Sequence, residues 1–167
     1  MLNLVYEKEL LLTGGTVIAN KDFIGDGPFM LVHADNLSIC NYKEFINAHK
    51  TRPANTEITM MTFTTDEPES CGVIKVDDFG IIQEFHEKVS NPPSTLANGA
   101  VYIIEASVID YMERLQKVKV DFSLDVLPYF MGRINTYFNG YYHRDIGNIR
   151  SYELAQIETN FLSGKTT

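Results

Sequence analysis

The chain has 167 residues, 44% of them hydrophobic and 11% aromatic, with ten Phe, nine Tyr and no Trp. That suffices for one domain with its own core and excludes a disordered or fibrous chain. The formal net charge is −8, and the 14 Lys and Arg are scattered. This excludes the basic stripe that grips nucleic acid or an anionic membrane surface, but leaves room for a small phosphorylated ligand neutralised by a metal ion and a few local cations.

Strand-like and helix-like segments alternate along the chain. Leu2 to Tyr6 reads as a short strand, Thr13-Gly14-Gly15 as a turn and Thr16 to Asp22 as a short helix. After the breaker cluster Gly25-Asp26-Gly27-Pro28, the unbroken apolar run from Phe29 to His33 predicts a buried strand of a mostly parallel sheet. Asn41 is the predicted N-cap of a helix to Lys50, with Phe45, Ala48 and His49 on one face. Thr56 to Thr64 reads as a strand. Cys71 to Val76 and Ile81 to His86 read as a hairpin through Asp77-Asp78-Phe79-Gly80. Gly99 to Ile104 predicts another strand, Ala106 to Leu115 a helix and Phe122 to Phe130 a short helix. Asn135 to Tyr142 reads as a last strand or hairpin, Ile149 to Thr159 as a terminal helix, and Ser163 to Thr167 as a frayed end. This alternation predicts a single α/β domain over residues 1–167, with a mixed sheet and ligands outside the carboxyl ends of its strands.

Cys40 and Cys71 have neither C-x-x-C nor zinc spacing and read as reduced thiols. No apolar run reaches the ~20 residues that cross a bilayer. The N-terminus has no basic start or cleavage site, so a cytoplasmic location is expected.

Two acids stand out. Asp35 follows the apolar run ending at His33, and Asp145 follows the aromatic run Tyr142-His143-Arg144 and precedes Gly147. Each suits a turn as well as a site. If they meet, two carboxylates with phosphate oxygens make a magnesium site. Glu87 could accept hydrogen bonds from hydroxyls, Lys88 could face a phosphate, and Asn98 offers donors and an acceptor. Gly72 and Gly99 allow close backbone approach. His33, His49, His86 and His143 have no metal spacing. His143 reads as a packed histidine beside the pocket.

In this order the segments resemble the sugar-phosphate nucleotidyltransferases, or nucleotide-sugar pyrophosphorylases, and within them the mannose-1-phosphate guanylyltransferases and glucose-1-phosphate thymidylyltransferases. Glu9-Leu10-Leu11-Leu12-Thr13-Gly14-Gly15-Thr16 resembles the L-G-T-A-G segment near the base, departing at Leu12 and Gly14, and Phe29-Met30-Leu31-Val32-His33-Ala34-Asp35-Asn36-Leu37 resembles the strand ending in G-D-x-L, with Ala34 in place of glycine. Cys71-Gly72-Val73 is similar to Y-G-V, Glu87-Lys88-Val89 to E-K-P, and Asn98-Gly99-Ala100-Val101-Tyr102 to N-x-G-x-Y. Tyr142-His143-Arg144-Asp145-Ile146-Gly147 is similar to W-x-D-I-G, with His143 or Tyr142 where an aromatic is usual.

The resemblance implies a Rossmann-like mixed sheet of the nucleotide-diphospho-sugar transferase type. It implies Asp35 and Asp145 as catalytic magnesium ligands. Thr13, Gly14 and Gly15 would lie near the base, and Gly72, Glu87, Lys88, Asn98 and Gly99 on the sugar side. The expected substrates are a nucleoside triphosphate and a sugar-1-phosphate. The family's G-x-G-[ST]-R triphosphate loop does not occur in these residues. The expectation is therefore an N-terminally truncated domain with impaired turnover, or a non-catalytic sugar-phosphate-binding remnant that completes a partner. A sheet edge left open by truncation is expected to form a homo-oligomer or take a helper fragment.

Overall fold

The computed structural model describes residues 2–162; the frayed end expected at Ser163 to Thr167 lies outside them. Its helices are α1 (Leu12–Ala19), α2 (Lys21–Ile24), α3 (Tyr42–Lys50), α4 (Ser107–Arg114) and α5 (Ile149–Leu162). Its strands are β1 (Phe29–Val32), β2 (Asn36–Ile39), β3 (Ile58–Thr64), β4 (Gly72–Val76), β5 (Ile82–Glu87), β6 (Leu96–Ile104), β7 (Ile134–Phe138) and β8 (Tyr142–Asp145).

Six strands form one sheet in the order β5-β4-β6-β3-β7, with β1 also paired to β6; β2 and β8 form a separate two-stranded ribbon. The mixed sheet is as expected, but its balance is not. Only β3 and β7 pair in parallel, and every other ladder is antiparallel. β3 lies between β6 and β7, and its first five residues are buried. On one face of the sheet, Ile58, Met60, Ile74, Ile104 and Tyr102 pack with α1, α4 and the turns from Phe122 to Phe130. On the other, Phe45 of α3 covers Met61, Val101 and Ile103.

Local chemistry explains α3. The Asn41 side-chain oxygen accepts from Lys43 N at 3.2 Å and Glu44 N at 3.3 Å, satisfying two of the free amides at a helix start. One turn apart, Phe45 and His49 are both buried. His49 shares hydrogen bonds with Thr59 Oγ1 at 2.9 Å and Glu105 Oε1 at 3.1 Å, and Arg52 pairs with the same carboxylate. This polar clamp ties α3 to the edge of the core.

Several sequence expectations change. Leu2 to Tyr6 is exposed and carries no regular structure. Thr13-Gly14-Gly15 is helix rather than turn, because small residues let α1 lie against Val120; Gly14 N and Gly15 N both donate to Val120 O, at 2.9 and 3.2 Å. β1 is not a buried parallel strand. It pairs antiparallel to β6 alone, and Met30 and Val32 are 39% and 45% exposed. The run from Phe122 to Phe130 is one π turn followed by a 3-10 turn.

Candidate active site

The topology makes a gap in the sheet, and the gap positions the site. One edge of β6 pairs with β3. The other edge is shared end to end by β1 and β4: Val32 lies opposite Val101, and Val73 opposite Ala97. His33 N reaches Ala100 O at 3.2 Å, so Asn98 and Gly99 are left between the end of β1 and the start of β4. A parting of neighbouring strands is where ligands lodge in α/β sheets.

The β2–β8 ribbon brings the two acids to this gap. Antiparallel register sets Asn36 opposite Asp145 and Ser38 opposite His143. Ile146 N donates to Asp35 O at 2.7 Å, closing the ribbon's end. A Cβ built on Gly147 would lie 3.0 Å from Asp145 Oδ1 and 3.4 Å from Asp35 Oδ2, so both carboxylates border one small space. Both residues are exposed, and among the described residues neither forms an ion pair. Asp145 Oδ1 accepts from Gly147 N at 2.7 Å, which fixes its orientation.

Among the described residues no cluster of three or more His, Cys, Asp and Glu could cage a metal. Two unneutralised carboxylates on one space still suit a hard divalent cation, since magnesium needs only one or two from the protein and takes the rest from phosphate and water.

A second group lies across the gap. Gly72 and Glu87 are register partners on β4 and β5, and a Cβ on Gly72 would meet Glu87 Oε2 at 2.6 Å. Burial raises the Glu87 carboxyl above its usual range, opposed by Lys88, whose ammonium lies 3.9 Å away. Lys88 itself is exposed.

Asn98 is more committed than its sequence position suggested. Its Nδ2 donates to Tyr102 Oη at 2.7 Å and its Oδ1 accepts from Ala100 N at 2.9 Å. Tyr102 is 1% exposed; desolvation, only partly offset by Asn98, holds its hydroxyl well above the usual phenol range. Asn98 and Tyr102 thus form a hydrogen-bonded polar floor on β6 beside the gap.

Gly99 is buried against Met61 O and the His143 ring rather than open to a ligand. Gly14 and Gly15 are also buried, with their amides spent on Val120. Thr13 is the member of that segment tied to the β1 end, through Oγ1 and His33 Nε2 at 3.4 Å.

Beside Asp145 opens a cleft of about 860 Å³ between the segment Phe63 to Cys71, the β7–β8 turn and α5. Phe138 and Tyr141 supply aromatic surface, and Asp66 and Glu67 supply acceptors. Among the described residues, the one cation lining it, Arg144, is bound to Glu158 by two bonds of 2.8 and 2.7 Å. This chemistry suits a neutral polyhydroxylated group better than an anion. The cleft, strand β2 and the Ser38–His143 pair were missed in the sequence; only the motif around Asp145 pointed towards them.

Comparison with known proteins bears on the family and the fold. The chain is 31% identical to a glucose-1-phosphate adenylyltransferase of Desulfitobacterium hafniense over 87% of its own length and 39% of that protein's. It is 28% identical to one from Mycoplasma mobile, over 87% and 41%. Its fold superposes with a TM-score of 0.81 and 18% identity on a Bacillus anthracis structure assigned as a glucose-1-phosphate thymidylyltransferase, covering 93% of this chain and 63% of that one. HddC from Yersinia pseudotuberculosis superposes with a TM-score of 0.75 at 24% identity, over 92% and 64%. The chain thus spans about two fifths of the length of these two curated relatives. Among the described residues no helix is long and apolar enough to cross a membrane. The nucleotidyl transferase family profile matches residues 2–160, and the chain belongs to that family.

Proposed function

We propose that this domain carries the metal-binding and sugar-binding side of a sugar-1-phosphate nucleotidyltransferase. The observation that supports it is the meeting of Asp35 and Asp145 on one space at the sheet gap. In the proposed reaction, a phosphate oxygen of the sugar-1-phosphate attacks the α-phosphorus of a nucleoside triphosphate. The bond from the α-phosphorus to the bridging oxygen breaks, and pyrophosphate leaves. Such transfers depend on positioning and charge neutralisation. When bound, magnesium supplies the positive charge that offsets the phosphates. Asp35 and Asp145 would hold it, with Asp145 oriented by its bond from Gly147 N. Glu87 accepts from sugar hydroxyls at the rim, Gly72 and the Asn98–Tyr102 floor support it, and Lys88 faces the sugar phosphate. Thr13 stands on the base side.

The relatives' names make glucose-1-phosphate with ATP the first pair to assay, ahead of mannose-1-phosphate with GTP. A cytoplasmic location is part of the same proposal. The edge of β1 that pairs with no strand among the described residues is the proposed site of association with a second chain.

The test is calorimetric binding of magnesium and glucose-1-phosphate, alongside pyrophosphate release with a panel of triphosphates. Joint binding that is lost in both Asp35→Asn and Asp145→Asn supports the reading; binding indifferent to both substitutions overturns it. The G-x-G-[ST]-R pattern does not occur in these 167 residues, which favours weak turnover by them alone. Sugar-phosphate binding without pyrophosphate release would identify a binding module that completes a partner.

A further inference from the structure

We infer that His143 is a positioning residue for the Asp35–Asp145 pair, locking the ribbon that carries both acids onto the main sheet. The inference rests on the proposal that this pair holds a divalent cation.

The β2–β8 ribbon shares no ladder with the six-stranded sheet. Its acid-bearing end is held by the short backbone link from β1, where His33 N reaches Ala100 O, and by side chains. Alternation along each strand and the observed register put Asn36, Ser38, His143 and Asp145 on one face. Three contacts join that face to the sheet. Asn36 Nδ2 donates to Gly99 O at 3.3 Å. The His143 ring packs on Phe63 of β3, with centroids 4.2 Å apart and planes tilted by 41°. The same ring sits over Gly99, where an added Cβ would meet His143 Cε1 at 3.4 Å and Met61 O at 3.1 Å.

Across the ribbon, His143 Nδ1 shares a hydrogen bond with Ser38 Oγ at 2.7 Å. This is the one side-chain bond joining β2 to β8 one pleat away from the acids. His143 acts through the ribbon, one contact beyond the outer partners that hydrogen-bond metal-binding carboxylates; loss of those partners typically weakens metal binding by about 10–100-fold and sets the scale here.

The experiment measures Mn²⁺ affinity of the full chain by calorimetry for wild type, Ser38→Ala, His143→Phe and His143→Asn, with a thermal melt for each. Ser38→Ala removes only a hydroxyl, and His143→Phe keeps the packing on Phe63 but loses the bond. Both are expected to bind Mn²⁺ about 10–100-fold more weakly at temperatures where they are folded. His143→Asn, which can restore an amide near the Nδ1 position, is expected to recover part of that loss. If wild type binds Mn²⁺ and both Ser38→Ala and His143→Phe bind it equally well, with only their melting points lowered, His143 is merely structural and the inference fails. If wild type binds no Mn²⁺, the cation-site proposal itself fails.

Discussion

Replacing Gly147 by alanine probes the space between the two acids with the smallest possible intrusion. The φ of Gly147 lies outside the left-handed region, so the backbone accepts an L residue there. The new methyl would sit 3.0 Å from Asp145 Oδ1 and 3.4 Å from Asp35 Oδ2. The first distance is too short for comfortable contact, so Asp145 must retreat by a few tenths of an ångström. That retreat strains the 2.7 Å bond from Gly147 N which orients the carboxylate.

Disturbing such an outer partner is expected to weaken divalent-cation binding by about 10–100-fold, equivalent to about 1.4–2.7 kcal/mol. Both acids are exposed, so global stability should change by no more than about 0.5 kcal/mol. The assay is Mn²⁺ calorimetry at pH 7 with a parallel melt. Weaker binding at an unchanged melting point is the expected result. Unchanged affinity would refute the reasoning, because a methyl cannot share that space with a cation and leave its ligands undisturbed.

Three further outcomes follow from the fold. His49 has its pKa lowered, chiefly by burial and then by Arg52, against the opposing pull of Glu105. The unfolded chain therefore takes up this proton more readily, so the neutral clamp's contribution is intact above about pH 6.5 and is lost as pH falls below it. Urea unfolding at pH 7.5 and 5.5 should show that loss, and His49→Gln should show a smaller one; equal losses would remove His49 as the cause. Asn41→Ala leaves Lys43 N and Glu44 N without their side-chain acceptor and should cost about 1 kcal/mol, or about 2–4 °C in melting temperature for a chain of this size. Gly14→Val drives a side chain into Val120, whose Cγ1 lies 2.6 Å and carbonyl oxygen 2.9 Å from the new Cβ. It should cost about 1–3 kcal/mol in urea unfolding; an unchanged midpoint would show that α1 can slide off Val120.

The sequence made some of this legible because the signals were local. Asn41 before an amphipathic segment marks a cap, and α3 starts there. Asp35 and Asp145 could be singled out because each ends a run of strand-forming residues. Their meeting was beyond reach, because it depends on the register of β2 with β8. The four residues Asn36–Ile39 are too short, and too turn-like at their start, to announce a strand.

Neighbours were equally hidden. Phe29-Met30-Leu31-Val32 has the apolar content of a buried parallel strand, yet only Phe29 and Leu31 join the core, while Met30 and Val32 lie exposed. Glycines misled twice. Gly14-Gly15 looked like a turn but serves close packing of a helix, and Gly99 looked open to a ligand but is filled by His143 and Met61. Asn98 looked like a sugar contact, and its partners Tyr102 and Ala100 N became visible only in three dimensions.

The most direct measurement is a crystal grown with Mn²⁺ and glucose-1-phosphate, read by anomalous diffraction. One metal peak bound by both Asp35 and Asp145, with phosphate or water completing its coordination, is the expected result. A peak held elsewhere, or by one of the two acids with the other turned away, would contradict the account.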